Sequence, residues 1–448
     1  MTDKVVYVLV LNWNGREHLE ECFASLLASS YPHCRFVLVD NASTDDSIRF
    51  VRERFGHDPR VKIYALDGNY GWSGGNNRAI ARALEEGADY LFLLNNDTAV
   101  SPDAVARLVA AAETDPSVGA WAPKMVLFDT PCVINSVGLV CSRIGASWDR
   151  GIGELDEGQY DAPSEVVGIC GGAFFLPAPV VQRVGFFPER FEVYLDDLEL
   201  CLRIWDAGYR GMTCPSAVVR HKFSASVGTG ARARYKYYLN TRNRLWVMWR
   251  HFPLRQIPLC LFLFLYGEMK AIGKAVKERA FWRIGAHLRA WLAGFLYLPE
   301  AIQFRISQRK QAVRRGAFWP HIERKRLFCP HVVLPQRGWY PAVMHEGKAF
   351  FPMSREAWVP VTAGEAQITI RQFYPSLGAL HVTIAQEETV LCEVVTDSEK
   401  TVTVQFSAGR LIFRAQRIFK PAQTGLDIAV GCWVSSPLLN HEQRDSKN

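Results

Sequence analysis

Short apolar runs alternate with stretches of helical spacing through the first 230 residues or so. Residues 5–11, 36–39, 61–65 and 90–94 are apolar runs of strand length, the pattern of strands buried in a sheet. Between them, residues 16–29, 43–55, 76–86 and 102–113 repeat apolar side chains at three- and four-residue intervals, which predicts helices. Ser43 and Ser101-Pro102 are suitable helix starts, the second with proline at the first helical position. This alternation predicts an α/β domain around a mainly parallel central sheet. The opening run meets Asn12 and Asn14 at once, so it reads as a first buried strand and not as the apolar stretch of an export signal.

Two other rhythms follow. Residues 232–326 are helical by spacing and rich in aromatics. Beyond them, 367–370, 380–384, 390–395, 401–406, 411–415 and 426–430 recur at about the 8–12-residue spacing of a β-sandwich. Several alternate apolar with polar residues, as in Val402-Thr403-Val404-Gln405-Phe406. A chain of 448 residues is too long for one core. The expected division is an α/β domain over 1–231, a helical segment over 232–328, a small all-β sandwich over 329–440 and a polar tail, 441–448.

Charge sharpens that division. The chain carries 52 Lys and Arg against 45 Asp and Glu, and residues 232–326 hold 21 of the bases but only four of the acids. The segment is therefore +17 and the remainder −10. Trp246, Trp249, Phe252, Phe262, Phe264, Trp282, Trp291 and Phe295 are interleaved with these bases, as in helices that lie in the interface of an anionic membrane. Crossing is not expected: the apolar run 257–266 ends at Glu268 and Lys270, 291–298 is shorter, and a span needs about 20 residues. Nucleic acid would use the same charges, yet no nucleic-acid-binding motif accompanies them, so a membrane surface is the expected partner and nucleic acid is not. The eleven cysteines are scattered with no C-x-x-C pair, against a zinc site or disulfide framework, and fit a reducing cytoplasm.

Three polar segments follow strands, where open α/β sheets bind ligands, and a Gly-rich stretch is a fourth feature. Asp40-Asn41-Ala42-Ser43-Thr44-Asp45 offers a carboxylate for a base or ribose, or simply a helix cap. Asn95-Asn96-Asp97-Thr98 offers an oxygen ligand for a divalent cation against a diphosphate, or an ordinary Asn/Asp turn. Asp196-Asp197-Leu198-Glu199 places two carboxylates side by side, which raises the pKa of at least one and suits a general base; an acidic helix start with a Glu199–Arg203 pair is the plain alternative. Gly68-Asn69-Tyr70-Gly71-Trp72-Ser73-Gly74-Gly75-Asn76-Asn77 reads as a flexible loop that lets backbone approach phosphate or sugar, and it fits neither a dinucleotide fingerprint nor a P-loop.

Taken in order, Val10-Leu11-Asn12-Trp13-Asn14-Gly15, Asp40-Asn41-Ala42-Ser43-Thr44-Asp45, Gly71-Trp72-Ser73-Gly74-Gly75-Asn76-Asn77, Asn95-Asn96-Asp97-Thr98, Gly171-Gly172-Ala173-Phe174-Phe175, Asp196-Asp197-Leu198-Glu199, Gly208-Tyr209 and Arg220-His221 resemble family 2 glycosyltransferases, in particular the bacterial rhamnosyltransferase-like branch. The resemblance covers about residues 4–250. It implies a GT-A fold and an inverting, single-displacement transfer from a nucleotide-sugar donor to a glycan or lipid-linked glycan, in cell-surface polysaccharide assembly on the cytoplasmic face of the membrane. dTDP-rhamnose is the favoured donor and a UDP-sugar the second. Asp40, with Asn12 and Asn14, matches the base-reading group; Asn76, Asn77, Asn96, Gly171 and Gly172 complete the implied donor site. Asp97 matches the last position of the D-x-D metal motif, whose first position is Asn95 here, and His221 matches a histidine near metal or diphosphate, so a divalent cation (Mg or Mn) is implied. Asp197 matches the acceptor-deprotonating acid, and Asp196 replaces the usual Glu before it. The 329–440 region more loosely resembles an accessory sandwich of bacterial glycosyltransferases. Two rivals remain: a sugar nucleotidyltransferase, which would want a basic phosphate loop near the first strand, and a catalytically silent glycan-binding protein, against which the two aspartates argue.

Overall fold

The structure, a computed structural model, describes residues 3–222, 230–310 and 312–329, and in the C-terminal part 339, 343–345, 348–353, 356–372, 379–416 and 432–436. The chain divides into two compact units: residues 1–125, 136–150 and 159–330 make the first, and 126–135, 151–158 and 331–448 the second.

The first unit opens with β1 (Val6–Asn12), α1 (Arg16–Leu27), β2 (Cys34–Asp40), α2 (Ser47–Phe55), β3 (Val61–Ala65), α3 (Gly71–Glu85), β4 (Tyr90–Asn95), β5 (Thr98–Val100), α4 (Ala104–Thr114) and β6 (Val118–Leu127). The chain continues through the short strands β7 (Ile134–Ser136), most of which belongs to the second unit, β8 (Leu139–Cys141) and β9 (Ser147–Asp149) to β10 (Ala173–Pro177), α5 (Ala178–Val184), α6 (Asp196–Asp206) and β11 (Arg210–His221) of the first. The main sheet runs in the order β3-β2-β1-β4-β10-β6-β11-β5. Its β3-β2-β1-β4 half is parallel, as the alternating pattern predicts, while β10 lies antiparallel between β4 and β6 and β11 is antiparallel to β5. Successive residues of β1 serve opposite faces. Val6, Val8 and Val10 pack with Leu19, Phe23, Val51 and Leu108 of α1, α2 and α4; Tyr7 and Leu9 pack with Ile80, Ala83, Leu200 and Ile204 of α3 and α6.

The Gly-rich stretch is not a loop. Gly71 takes φ +67°, and from it α3 runs on through Ser73, Gly74, Gly75, Asn76 and Asn77, five residues before the predicted start. The glycines serve close packing: a β-carbon at Gly75 would stand 2.6 Å from Leu11 Cδ1, and one at Gly74 2.8 Å from Tyr70 Cβ. Close packing against the sheet thus offsets the low helix propensity of glycine, about 1 kcal/mol per residue. Likewise Ser43 starts no helix, since α2 begins at Ser47 and the Ser43 hydroxyl accepts the Asn14 backbone N–H instead.

The basic segment forms α7 (Gly230–His251), α8 (Ile257–Lys277), α9 (Phe281–Leu296) and α10 (Leu298–Ser307), within the same unit as the sheet. Leu198, Leu202 and Trp205 of α6 share a core with Trp246 and Trp249 of α7, Phe252 just beyond it, Phe264 of α8 and Tyr297. Four of the aromatics expected at a membrane, Trp246, Trp249, Phe252 and Phe264, are therefore interior, whereas Phe262 and Phe295 are exposed. Part of the positive charge is interior too: Arg244 bonds Glu268, Arg250 meets Glu199, and Arg305 donates to the Trp249 and Phe252 carbonyls. Among the described residues no helix is long and apolar enough to cross a membrane.

The second unit holds β12 (Val343–His345), β13 (Lys348–Pro352), β14 (Glu356–Val361), β15 (Gly364–Gln372), β16 (Leu380–Gln386), β17 (Thr389–Thr396), β18 (Glu399–Phe406), β19 (Gly409–Ala415) and β20 (Cys432–Ser435). They form antiparallel sheets in the orders β12-β13-β20-β15-β18 and β14-β19-β16-β17, around a core of Ile368, Ile370, Val382, Ile384, Val404 and Phe413. The all-β rhythm is realised there; the strand predicted at 426–430 and the tail 441–448 lie outside the described residues.

Candidate functional site

The site lies at the ends of β1, β2 and β4, the edge at which parallel strands release their chain into loops. Asn12 ends β1 and Asp40 ends β2, paired in register and both buried. Asn12 Nδ2 donates to Asp40 Oδ1 at 3.2 Å and to Ser43 Oγ at 3.2 Å, and its Oδ1 accepts from Asn96 Nδ2 at 2.7 Å. Asp40 Oδ2 accepts the Ser43 N–H at 2.9 Å. A carboxylate has about four lone-pair sites, so Asp40 keeps acceptor capacity for a ligand N–H. Asn14, at φ +50°, accepts the Thr44 and Asp45 N–H groups on Oδ1 and so holds the loop after β2. Gly15 leaves no room for a side chain: its β-carbon would stand 2.0 Å from Asn96 Nδ2.

The start of α3 forms one wall. Asn41 accepts the Tyr70 N–H and donates to the Gly71 carbonyl, which docks the helix start on the end of β2. Trp72 is half-buried, and its Nε1 donates to Asn95 Oδ1 at 3.1 Å. Ser73 donates to Asp196 Oδ2, tying α3 to α6. Asn76 is buried, gives its Nδ2 to the Trp72 carbonyl, and keeps Oδ1 without a protein partner. Asn77 faces elsewhere, since its amide is used by the Phe187 backbone and Glu189.

Pairing of β5 with β11 sets His221 opposite Thr98, and His221 Nε2 comes to 3.3 Å from Asp97 Oδ1. Burial pushes the Asp97 carboxyl up, but the bond to His221 and its charge outweigh that and hold it below its ordinary value. Across the Gly171-Gly172 corner the acid pair opens α6. Asp196 is buried; Asp197 is half-buried, accepting the Gly171 N–H at 3.0 Å and the Leu198 N–H at 2.7 Å. Burial first, and then the neighbouring Asp196 charge, push the Asp197 carboxyl up, and burial does the same to Asp196. Both glycines face close neighbours. A β-carbon at Gly171 would meet Trp72 Cζ2 at 2.8 Å with Asp197 Oδ2 at 3.5 Å; one at Gly172 would meet the flexible end of Met125, Cε, at 2.9 Å, with His221 Cε1 at 3.5 Å and Asn95 Nδ2 at 3.7 Å in ordinary contact.

Asn12, Asp40 and Asn96 thus form one hydrogen-bonded group, and Asp97, His221, Gly171, Gly172, Asp196 and Asp197 gather around one corner. Trp72 and Ser73 join them; sequence reasoning quoted both only as part of a loop, and the indole's position follows from the unforeseen helix. Among the described residues no three His, Cys, Asp or Glu side chains are grouped as a metal cage. Asp97 and His221 alone fit a divalent cation whose remaining ligands are diphosphate oxygens and water, the usual arrangement for hard cations at phosphates.

The profile described as Glycosyl transferase family 2 matches residues 7–131, and that described as Glycosyl transferase family group 2 matches 90–303. The chain is 28% identical over 248 residues, 51% of its length, to 79% of an N-acetylglucosaminyl-diphospho-decaprenol L-rhamnosyltransferase of Mycobacterium tuberculosis. It is 23% identical over 246 residues, 53% of its length, to 73% of the low-salt glycan biosynthesis hexosyltransferase Agl10 of Haloferax volcanii. A crystal structure of GalNAc-T7 with UDP, GalNAc and Mn2+ is similar at 13% identity and a TM-score of 0.48, over 78% of this chain and 65% of that one. With the two profiles spanning residues 7–303 between them, over a mixed α/β sheet, the chain belongs to glycosyltransferase family 2.

Proposed function

We propose that the chain is an inverting glycosyltransferase that moves a sugar, rhamnose from dTDP-rhamnose before a UDP-sugar, onto a lipid-linked glycan in cell-surface polysaccharide assembly. The observation that carries this reading is the Gly171-Gly172 corner, with Asp197 on one side and His221 beside Asp97 on the other. Asp197 accepts the proton of the acceptor hydroxyl, and the Gly171 and Leu198 N–H groups fix its orientation without blocking every lone pair. Burial, and then the charge of Asp196 held by Ser73, keep the Asp197 carboxyl raised. Asp40 and Asn12 receive the pyrimidine, and Asn14 shapes the loop beside it. Asp97 and His221 would hold a divalent cation, which when bound stabilises charge on the leaving diphosphate. The rhamnosyltransferase relative, named for transfer of L-rhamnose to N-acetylglucosaminyl-diphospho-decaprenol, supports rhamnose as the sugar and a lipid-linked acceptor. The test is product stereochemistry: proton NMR of the product should show the anomeric configuration opposite to the donor's, and a retained configuration would overturn the single displacement.

A lipid-linked acceptor implies work at a bilayer surface, the cytoplasmic leaflet in this reading. Leu259, Phe262 and Met269 on α8, and Leu288, Leu292 and Leu296 on α9, form exposed stripes turned away from the buried Cys260, Phe264, Ala286 and Ala290. Phe262 is 67% and Leu296 71% exposed, far more than isolated surface apolar residues need. Exposed Lys270, Lys274, Lys277 and Arg289 border them. Each base near an anionic surface is worth about 1 kcal/mol. The purified chain should therefore float with phosphatidylglycerol vesicles at low salt and partly at high salt, and Phe262→Ser with Leu296→Ser should remove the salt-resistant part. Absence of flotation at low salt would overturn the docking.

A further inference from the structure

The first position of the metal motif does not hold a carboxylate, and its surroundings determine which face of the amide it shows. An indole N–H only donates, so the atom 3.1 Å from Trp72 Nε1 is the Asn95 oxygen. The opposite amide rotamer would set two donors against each other. The Asn95 backbone is also committed, its N–H to the Gly172 carbonyl and its carbonyl to Thr98 Oγ1. What Asn95 has left is the NH2 group. This group faces the space over Gly172, 3.7 Å from where a β-carbon would stand, with His221 Cε1 at 3.5 Å from the same point.

We propose that Asn95 is a diphosphate-binding donor and not a metal ligand, and that Trp72 is the positioning residue that locks its NH2 group toward the leaving group. This rests on the donor-site reading above and adds to it the means of holding diphosphate charge. An Asp here would keep the indole bond with one oxygen and turn the other, negative, toward the diphosphate, where only a bridging cation would make it welcome. The Asn95 amide instead supplies a hydrogen bond to an anion directly, so affinity for the diphosphate depends less on the cation. Gly172 belongs to the same device, because a side chain there would fill the space into which the amide points.

Calorimetric titration of UDP and dTDP into the full chain, with EDTA or with MnCl2, tests the assignment. Loss of one hydrogen bond to a charged group weakens binding about tenfold or more. In EDTA, wild type should bind one of these nucleotides, Asn95→Asp should bind at least about tenfold more weakly, and Mn should restore the variant more than it helps wild type. Trp72→Phe, which frees the amide to rotate, should weaken binding in EDTA by a smaller factor and leave the effect of Mn intact. Equal affinity of wild type and Asn95→Asp in EDTA, or wild-type binding only with Mn and unchanged by Asn95→Asp, would overturn the role of Asn95 alone. No binding of either nucleotide under any condition would overturn the donor site itself.

Discussion

Asp97 and Asp197 stand on either side of one glycine corner, and their surroundings drive them in opposite directions. Both suffer desolvation. Asp97 has a hydrogen-bonding partner in His221, which more than compensates and holds its carboxyl below the ordinary value. Asp197 has a second carboxylate next to it and only backbone N–H groups in return, so it is raised. Burial alone therefore does not assign a role; the partner does. A carboxylate kept charged suits binding of a cation, and one raised toward neutrality suits proton transfer at physiological pH.

The widest separation between the two sides is expected from Asp197→Asn, which should lower kcat by about 10²–10⁴ while nucleotide affinity stays within about twofold. Its fold should hold. A carboxyl raised by folding contributes stability that is lost as pH rises toward its folded value, so the Asn variant should melt no lower than wild type at pH 8, and any gain should vanish near pH 3. Near-normal turnover would move the base to Asp196. On the other side, Asp97→Ala should leave the base intact and weaken nucleotide binding in MnCl2 by about tenfold or more, read by titration. An unchanged affinity would remove Asp97 from the donor site.

A smaller effect sharpens the comparison further. Since Asp197 must be ionised to take a proton, kcat/KM should climb about tenfold per pH unit on the acid side and level near its raised value, about 7. Asp196→Asn removes the like charge, so that limb should shift toward lower pH. A limb that stays in place would assign the elevation to burial alone.

Much of this was legible from pattern. Period and strand length gave the parallel half of the sheet and most of the C-terminal strands, because buried strands carry little besides apolar residues. The order of short polar motifs gathered Asn12, Asp40, Asp97, Asp197 and His221 before any geometry. What pattern misread was set by tertiary contact. Gly74 and Gly75 suggest a loop until Leu11 and Tyr70 are seen pressing on them. Asn77 has the same composition as its neighbour Asn76, but its helical direction gives it to the Phe187 backbone. Trp249 and Phe264 alternate with bases as membrane anchors do, yet they fill the core behind α6. No local signal separates an aromatic facing lipid from one facing a helix four turns away.

The back of α6 limits how this enzyme can be rearranged. The helix that presents Asp197 to the site carries Glu199 on its hidden side, fully buried and bonded to Arg203 of its own helix and to Arg250 and His251 of α7. Stripping one side of such a buried ionic cluster costs about 3–5 kcal/mol. Asp197 therefore cannot be transplanted with the sheet alone. A chimaera that exchanged the helices α7 to α10 between relatives would have to carry the α7 partners of Glu199 across the junction, and substitution is freest on the outer faces of α8 and α9, where Phe262, Leu292 and Leu296 are exposed.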